Sequence, residues 1–570
     1  MPVSISVLKT FLRTLFFLPR IPGRNGGQEN LRRGLSPLLA ATGITLVLVT
    51  GGCRSSEPAA DIVIVNGAEP ESLDPAVVTG QAELRVVSAL FEGLTRSNPR
   101  TGDSEPALAE SWFISADRMV YTFNLRTNLH WSTGEKLTAE DVRYSWLRAL
   151  DPVTASSYAY QLFYLKNGEA FNSGRTNAGA VGVKVLNPWQ LEVTLTQPSP
   201  FFIDICTLPV TGVVPRWVIE KHGDRWLKAS PLPTSGAYEL VYWRINEKIR
   251  LRKNRNFWET AAARNSYVDL LPVGVANVAF NLYESGAADI VWDKDLIPSE
   301  LLGELQKRPD FHTFNYLGSY FFRFNTTRYP LKDPRVRQAL ALAVNKEHIL
   351  QKIVKSGGVL AHHFTPPGTQ NYQAPRGLRY SPGEAKRLLA EAGFPDGADF
   401  PRLQYTFNAS SGGANMHEKI AIEMQQMWKE VLNINIELRH LESKVFYMAQ
   451  NQLDYDISRS SWIGDYNDPN TFLDIFGSNN GNNRTGWKNA GYDRLLAEAN
   501  RQVDPLVRKG LLREAEEILV EKELPMVPLY FYVGVNYYDT NKVSGIFNNL
   551  IDVHPIHWIE KKVAASGGRL

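Results

Sequence analysis

At 570 residues the chain exceeds what one hydrophobic core ordinarily supports, so two or three lobes are expected. It is 44% hydrophobic and 21% charged, a soluble globular composition. The net charge of +3 comes from the leader, where Lys9, Arg13, Arg20, Arg24, Arg32 and Arg33 face only Glu29; the remainder is slightly acidic, which excludes nucleic-acid binding by bulk charge.

The basic leader, residues 1–52, runs into "LLAATGITLVLVT", Leu38 to Thr50. This apolar stretch falls short of the roughly 20 residues that span a bilayer and reads as a signal-peptide core. Gly51 and Gly52 suit cleavage before Cys53, whose thiol becomes the candidate for lipidation, with 53–60 as the anchor linker. The mature protein is therefore expected in the periplasm or cell envelope, tied to a membrane by its lipid.

"DIVIVNGAE" reads as a buried strand. "LTAEDVRYSWLRAL" opens with Thr138 and Asp141 spaced as a capping box, then places Val142, Trp146 and Leu150 on one helical face. "WQLEVTL" (Trp189–Leu195) and "KIRLRKN" (Lys248–Asn254) read as strands. Between them lies the other cysteine, Cys206, in apolar "FFIDICTLP", where a small buried hydrophobe is expected. "DPRVRQALALAV" starts with Asp333 as cap and Pro334 in the first turn. His362 and His363 point opposite ways on an extended chain and read as surface polarity. "SPGEAKRLLAEAGF" repeats the capping device with Ser381, Pro382 and Glu384 and stops at Gly393.

"YDISRSSWIGDYNDP", Tyr455 to Pro469, is a strand with Ile457, Arg459, Ser461 and Ile463 on one face, followed by Asp465 and a turn. The turn resembles a calcium loop only at Asp465 and Asn467. Pro469, Asn470 and Phe476 occupy the positions of the third ligand, the glycine and the bidentate glutamate. No phosphate loop, dinucleotide fingerprint, serine elbow or paired zinc histidines occur, so no cofactor, metal or catalytic residue is expected. The chain also holds 13 Trp, 23 Tyr and 26 Phe, more than enough to line a cleft as well as a core.

"NGAEPESLDP", "LFEGLTR", "ALAESW", "YTFNLRTNLHWSTGEKLTAEDVRYSW", "PSPFF", "SGAYEL", "NFW", "DPRVRQAL", "LLAEAGF" and "WIGDYNDPNTFLDIF" follow one another from about Asp61 onward. In that order they resemble the oligopeptide-binding proteins of ABC importers, within the solute-binding family that also takes dipeptides, nickel complexes and oligosaccharides. The resemblance implies an α/β, periplasmic-binding-protein-like fold of two lobes with an additional inserted domain. Lobe I would take 61–91, 216–317 and 533–570, the inserted domain 92–215, and lobe II 318–532.

An extended peptide can be held by adding it as a strand, its charged ends then fixing register. By resemblance Asp465 meets the ligand ammonium and Arg459 its carboxylate, with His417 serving slightly longer peptides. Six strand residues separate the two charges by about 20 Å, room for roughly three to five ligand residues. The ligand would run antiparallel to Ser458–Ile463, with Gly80 and Gln81 offering backbone opposite Ser461 and Ile463. Trp462 resembles the wall of a side-chain pocket; Tyr158 and Tyr532 resemble cleft tyrosines that bond ligand. The chain departs from the family pattern at Gln450, where a second arginine is usual, and at Ser443, where a cleft tryptophan is usual. The partners implied are short peptides and the permease and ATPase subunits of an importer, with the protein acting as a monomer. Another solute on the same fold, an oligosaccharide or nickel complex, and a peptide-sensing signalling receptor are the rival readings.

Overall fold

The computed structural model describes residues 57–562, apart from Lys294, Asp295, Ser299, Ser356 and 409–414. The leader and Cys53 lie outside the described residues. Among those residues no helix is long and apolar enough to cross a membrane.

From Ala59 onward the chain forms one compact unit around an eleven-stranded mixed sheet. Along the sheet the strands run Ile436–Leu441, Leu403–Asn408, Ile457–Ile463, Phe311–Phe324, Met526–Tyr538, Ile290–Val291, Ile62–Gly67, Tyr267–Pro272, Lys248–Lys253 and Tyr238–Arg244, with Val359–Leu360 paired to Met526–Tyr538. The strand expected in "DIVIVNGAE" sits near the centre of one half, parallel to both its neighbours, with Ile62 and Ile64 buried.

Two long antiparallel strands, Phe311–Phe324 and Met526–Tyr538, belong to both halves. Their register shifts between Tyr320 and Phe321 and, more widely, where the halves meet: Asn315 pairs with Val533 and Ser319 with Phe531, so Tyr316, Leu317 and Gly318 stand opposite Tyr532 alone. Separate hydrophobic cores pack on either side of that break. One gathers Ile62, Leu90, Trp226 and Trp292; another gathers Phe322, Leu340, Trp428 and Ile457. A four-stranded sheet within Ala109–Thr194 has its own core, built on Trp131, Trp146, Phe202 and Cys206, and Tyr466 inserts into it from the turn after Ile463.

Helix signals worked where their hydrogen bonds are local. The helix Ala139–Leu150 begins at Thr138, whose N–H donates to Asp141 Oδ2 at 2.8 Å, and buries Val142, Trp146 and Leu150. Asp333 accepts from the Arg335 N–H at 2.9 Å to start Pro334–Leu342. Ser381 departs from expectation: the helix Pro382–Glu391 starts without a side-chain cap. His362 and His363 are also not surface groups. Both are half-buried, with Nδ1 at 3.2 Å from the Leu378 carbonyl and 2.8 Å from the Thr365 carbonyl respectively. Burial and nearby Lys346 push His362 down to about 4. Cys206 is fully buried, and burial raises its thiol well above the ordinary range.

Candidate functional site

Strand Ile457–Ile463 pairs along its whole length with Phe324–Gly318 on one edge. On the other edge only Ile457 and Ser458 find partners, Tyr405 and Thr406. From Arg459 to Ile463 that second edge carries no strand among the described residues. Such an edge is a template for another extended chain.

Both ends of the open edge carry a charge without an opposite charge. Arg459 is only 7% exposed and forms no ion pair among the described residues. Its Nη1 donates to Ser461 Oγ at 3.2 Å, as side chains two apart on one face of a strand can. Its Nη2 lies 3.1 Å from His417 Nε2, and the rings of Tyr320 and Phe446 flank it at 5.7 and 5.8 Å. His417 Nδ1 sits 2.9 Å from the Asn408 carbonyl and 3.3 Å from Arg459 Nε. The imidazole orients the guanidinium and brings it no negative charge.

Asp465 ends the same segment. Gln161 Nε2 donates to its Oδ2 at 2.8 Å and the Tyr160 hydroxyl does so at 3.3 Å; the Tyr158 hydroxyl also bonds the carboxylate. All three donors are neutral. Desolvation of the half-buried carboxylate therefore wins over these hydrogen bonds and raises the carboxyl to about 6. The same contact raises Tyr158 and Tyr160 far above ordinary phenols, because burial and the Asp465 charge both oppose phenolate.

Some other buried charges are matched within the fold, whereas Glu516, fully buried, accepts only from the neutral donors Phe364 N–H, Thr365 N–H and the Tyr372 hydroxyl. Asp468 takes two hydrogen bonds from Arg508 at 2.7 and 2.9 Å, and Asp269 takes two from Arg250 at 2.6 and 2.8 Å. Arg323 lacks a carboxylate but donates to the Asn482 and Asn483 carbonyls and to Ser460 Oγ.

The remaining sequence candidates fall into four groups. Trp462 and Ile463 are half-buried at the open end of the strand, and the Trp462 indole N–H is buried with no acceptor among the described residues. Tyr532 is half-buried opposite the register break, its ring 6.3 Å from that of Tyr320. Gly318 allows this approach, since a Cβ there would meet the Tyr532 ring at 2.9 Å and Ile463 Cδ1 at 2.7 Å. Gln450, in helix Ser443–Asn451, is buried with its amide nitrogen donating to Ser458 Oγ at 2.8 Å and to the Arg459 carbonyl at 3.0 Å. It thus grips the Arg459 backbone. Gly80 caps helix Gln81–Leu90: its N–H donates to Glu83 Oε2 at 2.9 Å, and its carbonyl accepts from Glu83 and Leu84. Backbone donor capacity at this point remains with the first-turn amide of Gln81.

Gly80 and Gln81 border a cavity of about 750 Å³ that Tyr316 also lines; Asp465, Arg459 and Trp462 are not among its lining residues. Gln81 Nε2 reaches the Tyr316 hydroxyl at 3.4 Å, and Tyr316 is within electrostatic reach of Tyr158. That chain of contacts links the cavity to the Asp465 end.

Tyr160 and Gln161 escaped the sequence reading. They follow Tyr158 in "SSYAYQ", and a single turn, Ala159–Leu162, carries Gln161 and Tyr160 to the carboxylate that Tyr158 reaches. Tyr320 and Phe446 also escaped, because nothing local marks an aromatic that will flank a cation from another strand or helix. Among the described residues no group of three or more His, Cys, Asp or Glu is placed to hold a metal ion.

Residues 103–484 match the profile of the bacterial extracellular solute-binding proteins, family 5 middle region. The chain belongs to that family. Family 5 relatives similar along nearly the whole length include the periplasmic oligopeptide-binding protein OppA of Salmonella typhimurium, 36% identical over 88% of this chain and 92% of the relative. Among solved structures of the family, a periplasmic oligopeptide-binding protein of Borrelia burgdorferi superposes with a TM-score of 0.76 at 32% identity, covering 88% of this chain and all of that one. Haemophilus influenzae OppA, solved as a complex with RPPGFSPFR, gives a TM-score of 0.73 at 29% identity, covering 88% and 98%. The two-lobe family 5 fold is the fold of this chain.

Proposed function

We propose that this family 5 protein is the extracytoplasmic binding component of an ABC importer and that its ligands are short peptides. The observation that carries the reading is a pair of charges without ion-pair partners among the described residues, half-buried Asp465 and buried Arg459, at the two ends of one unpaired strand edge. A peptide added as an antiparallel strand brings main-chain hydrogen bonds along its length, an ammonium to one end and a carboxylate to the other. The two charges it brings are the two that the protein lacks.

In this reading Asp465 holds the ligand ammonium within the frame of Tyr158, Tyr160 and Gln161. Arg459 holds the carboxylate, oriented by His417 and Ser461. Gln450 positions the Arg459 backbone, Gln81 offers its amide from the facing side, and Trp462, Ile463 and Tyr532 shape the side-chain room between the charged ends. The lobes are those of the sequence reading, 61–91 with 216–317 and 533–570 against 318–532, and 92–215 is the inserted domain. Cys53 carries the lipid, the permease and its ATPase receive the ligand, the protein works as a monomer, and it performs no chemistry itself. The oligopeptide-binding names of its relatives and the nonapeptide complex of the Haemophilus protein support the ligand class.

The test is native mass spectrometry of the purified protein, followed by calorimetric titration with trialanine and with its N-acetylated and C-amidated forms. Peptides of mixed sequence should co-purify, and blocking either terminus should weaken binding by at least about tenfold. Co-purification of a sugar or a bile acid, or equal affinity for free and blocked trialanine, would falsify the reading.

A further inference from the structure

Tyr466 follows Asp465 directly in the chain, yet its ring belongs to the core of a different part of the molecule. It is 5% exposed and packs into the unit built on the four-stranded sheet within Ala109–Thr194. There it stacks on Phe201, with ring centroids 5.0 Å apart and an interplanar angle of 10°. Tyr164 meets the same phenylalanine edge-on at 5.2 Å. The Tyr466 hydroxyl accepts from Asn470 Nδ2 at 3.3 Å and bonds to Tyr164.

The turn that carries Asp465 and Tyr466 is stiff. The Gly464 N–H donates to the Leu317 carbonyl at 2.8 Å, and the Asp465 N–H to Thr471 Oγ1 at 3.1 Å. The Asp468 N–H donates to the Tyr466 carbonyl at 2.9 Å. Gly464 lets the strand end tuck in, since a Cβ there would meet Leu317 Cδ2 at 2.6 Å. Residues held this way move together. On the facing side one short segment serves both of them: Tyr158, Tyr160 and Gln161 bond the Asp465 carboxylate, and Tyr164 helps to seat Tyr466. In the lobe assignment above, the turn belongs to 318–532 and the segment to 92–215, so both contacts cross between domains.

We propose that Tyr466 is a positioning residue for capture of the peptide's amino end: seated against Phe201 and Tyr164, it docks the 158–164 segment over Asp465. The inference rests on the peptide reading above. Hydrogen bonds from neutral donors are individually modest and depend on angle, so they recognise more than they hold. A buried aromatic ring takes a large apolar area from water and fixes the spacing of the elements it joins. Tyr466 supplies the grip and Asp465 the specificity. Without the ring the frame withdraws, water returns to the carboxylate, and its attraction for an ammonium weakens.

The experiment titrates wild type, Tyr466→Phe, Tyr466→Leu and Tyr466→Ala with trialanine and N-acetyl-trialanine over about pH 5 to 8. Tyr466→Phe keeps the ring and should hold trialanine affinity within about threefold. Tyr466→Ala should weaken trialanine at least about tenfold and N-acetyl-trialanine less than about threefold, so the preference for a free amino end collapses. A purely structural loss lowers the folded fraction and scales both ligands alike. The pH profile is the second readout. In wild type, binding of the free peptide should decline below about 6, and in Tyr466→Ala that onset should move down toward the ordinary carboxylate range, because desolvation is what raises it. Tyr466→Leu keeps bulk without the stacked ring and carries both readouts, with smaller shifts, should Tyr466→Ala fail to fold. Equal weakening of both ligands, or an unmoved pH onset, overturns the proposal. Failure of wild type to bind trialanine at all instead overturns the peptide reading on which it rests.

Discussion

Asp465 and Asp468 sit three residues apart on one turn, the first half-buried and the second buried, and they are treated oppositely. Asp468, 2% exposed, is closed into a two-bond pair with Arg508. Asp465 receives only neutral donors and rises to about 6. The first arrangement completes its charge balance within the fold. The second leaves the carboxylate without a counter-charge among the described residues. On this turn, internal compensation is what Asp468 has and Asp465 lacks, and that contrast marks Asp465 as the candidate binding aspartate of the two.

Asp468→Asn should have the largest effect, and it should fall on stability. It leaves Arg508 buried and unpaired, a loss of about 3–5 kcal/mol. Denaturant titration should show that loss, while the folded fraction keeps its trialanine affinity within about threefold. A collapse of affinity without a loss of stability would reverse the roles assigned to the two aspartates.

Next comes Asp465→Asn. Removing the partner of a ligand ammonium should weaken trialanine binding roughly 10²–10³-fold. The ligand-free variant should be at least as stable as wild type, because a costly buried carboxylate has been neutralised. N-acetyl-trialanine should bind both proteins equally poorly.

The pH dependence sharpens the same contrast. The ammonium binds ionised Asp465, so ligand binding at a pH below about 6 must first remove a proton. Affinity for a free-amino peptide should fall by up to about tenfold per pH unit below that point, and stay flat above it. For the ligand-free protein the sign is opposite. The raised Asp465 favours the folded state at acid pH and loses that contribution as pH rises through about 6. Calorimetry between pH 5 and 8, in buffers of different ionisation enthalpy, checks the proton release directly.

The smallest effect belongs to Gln450→Ala. Its amide holds the Arg459 carbonyl rather than the guanidinium, so the loss should be severalfold and similar for peptides two to six residues long. A strong dependence on length in that ladder would place Gln450 beside the ligand carboxylate instead.

Local sequence determined the capped helices at Thr138 and Asp333, the buried strand Ile62–Gly67, and the alternation that puts Arg459 and Ser461 on one face. Those features follow from bonds within a few residues and from a period of two or 3.6. The order of the motifs was enough to identify the family. Only the tertiary structure decided that helix Ser443–Asn451 turns Gln450 onto the Arg459 backbone. It also decided which aspartate of "DYNDP" would meet an arginine. Asp468 is joined to Arg508 across 40 residues, and Asp465 to Gln161 across 304. A carboxylate's burial, its partners and hence its charge cost are sums over neighbours that the chain brings together only on folding, and no local pattern of residues contains them.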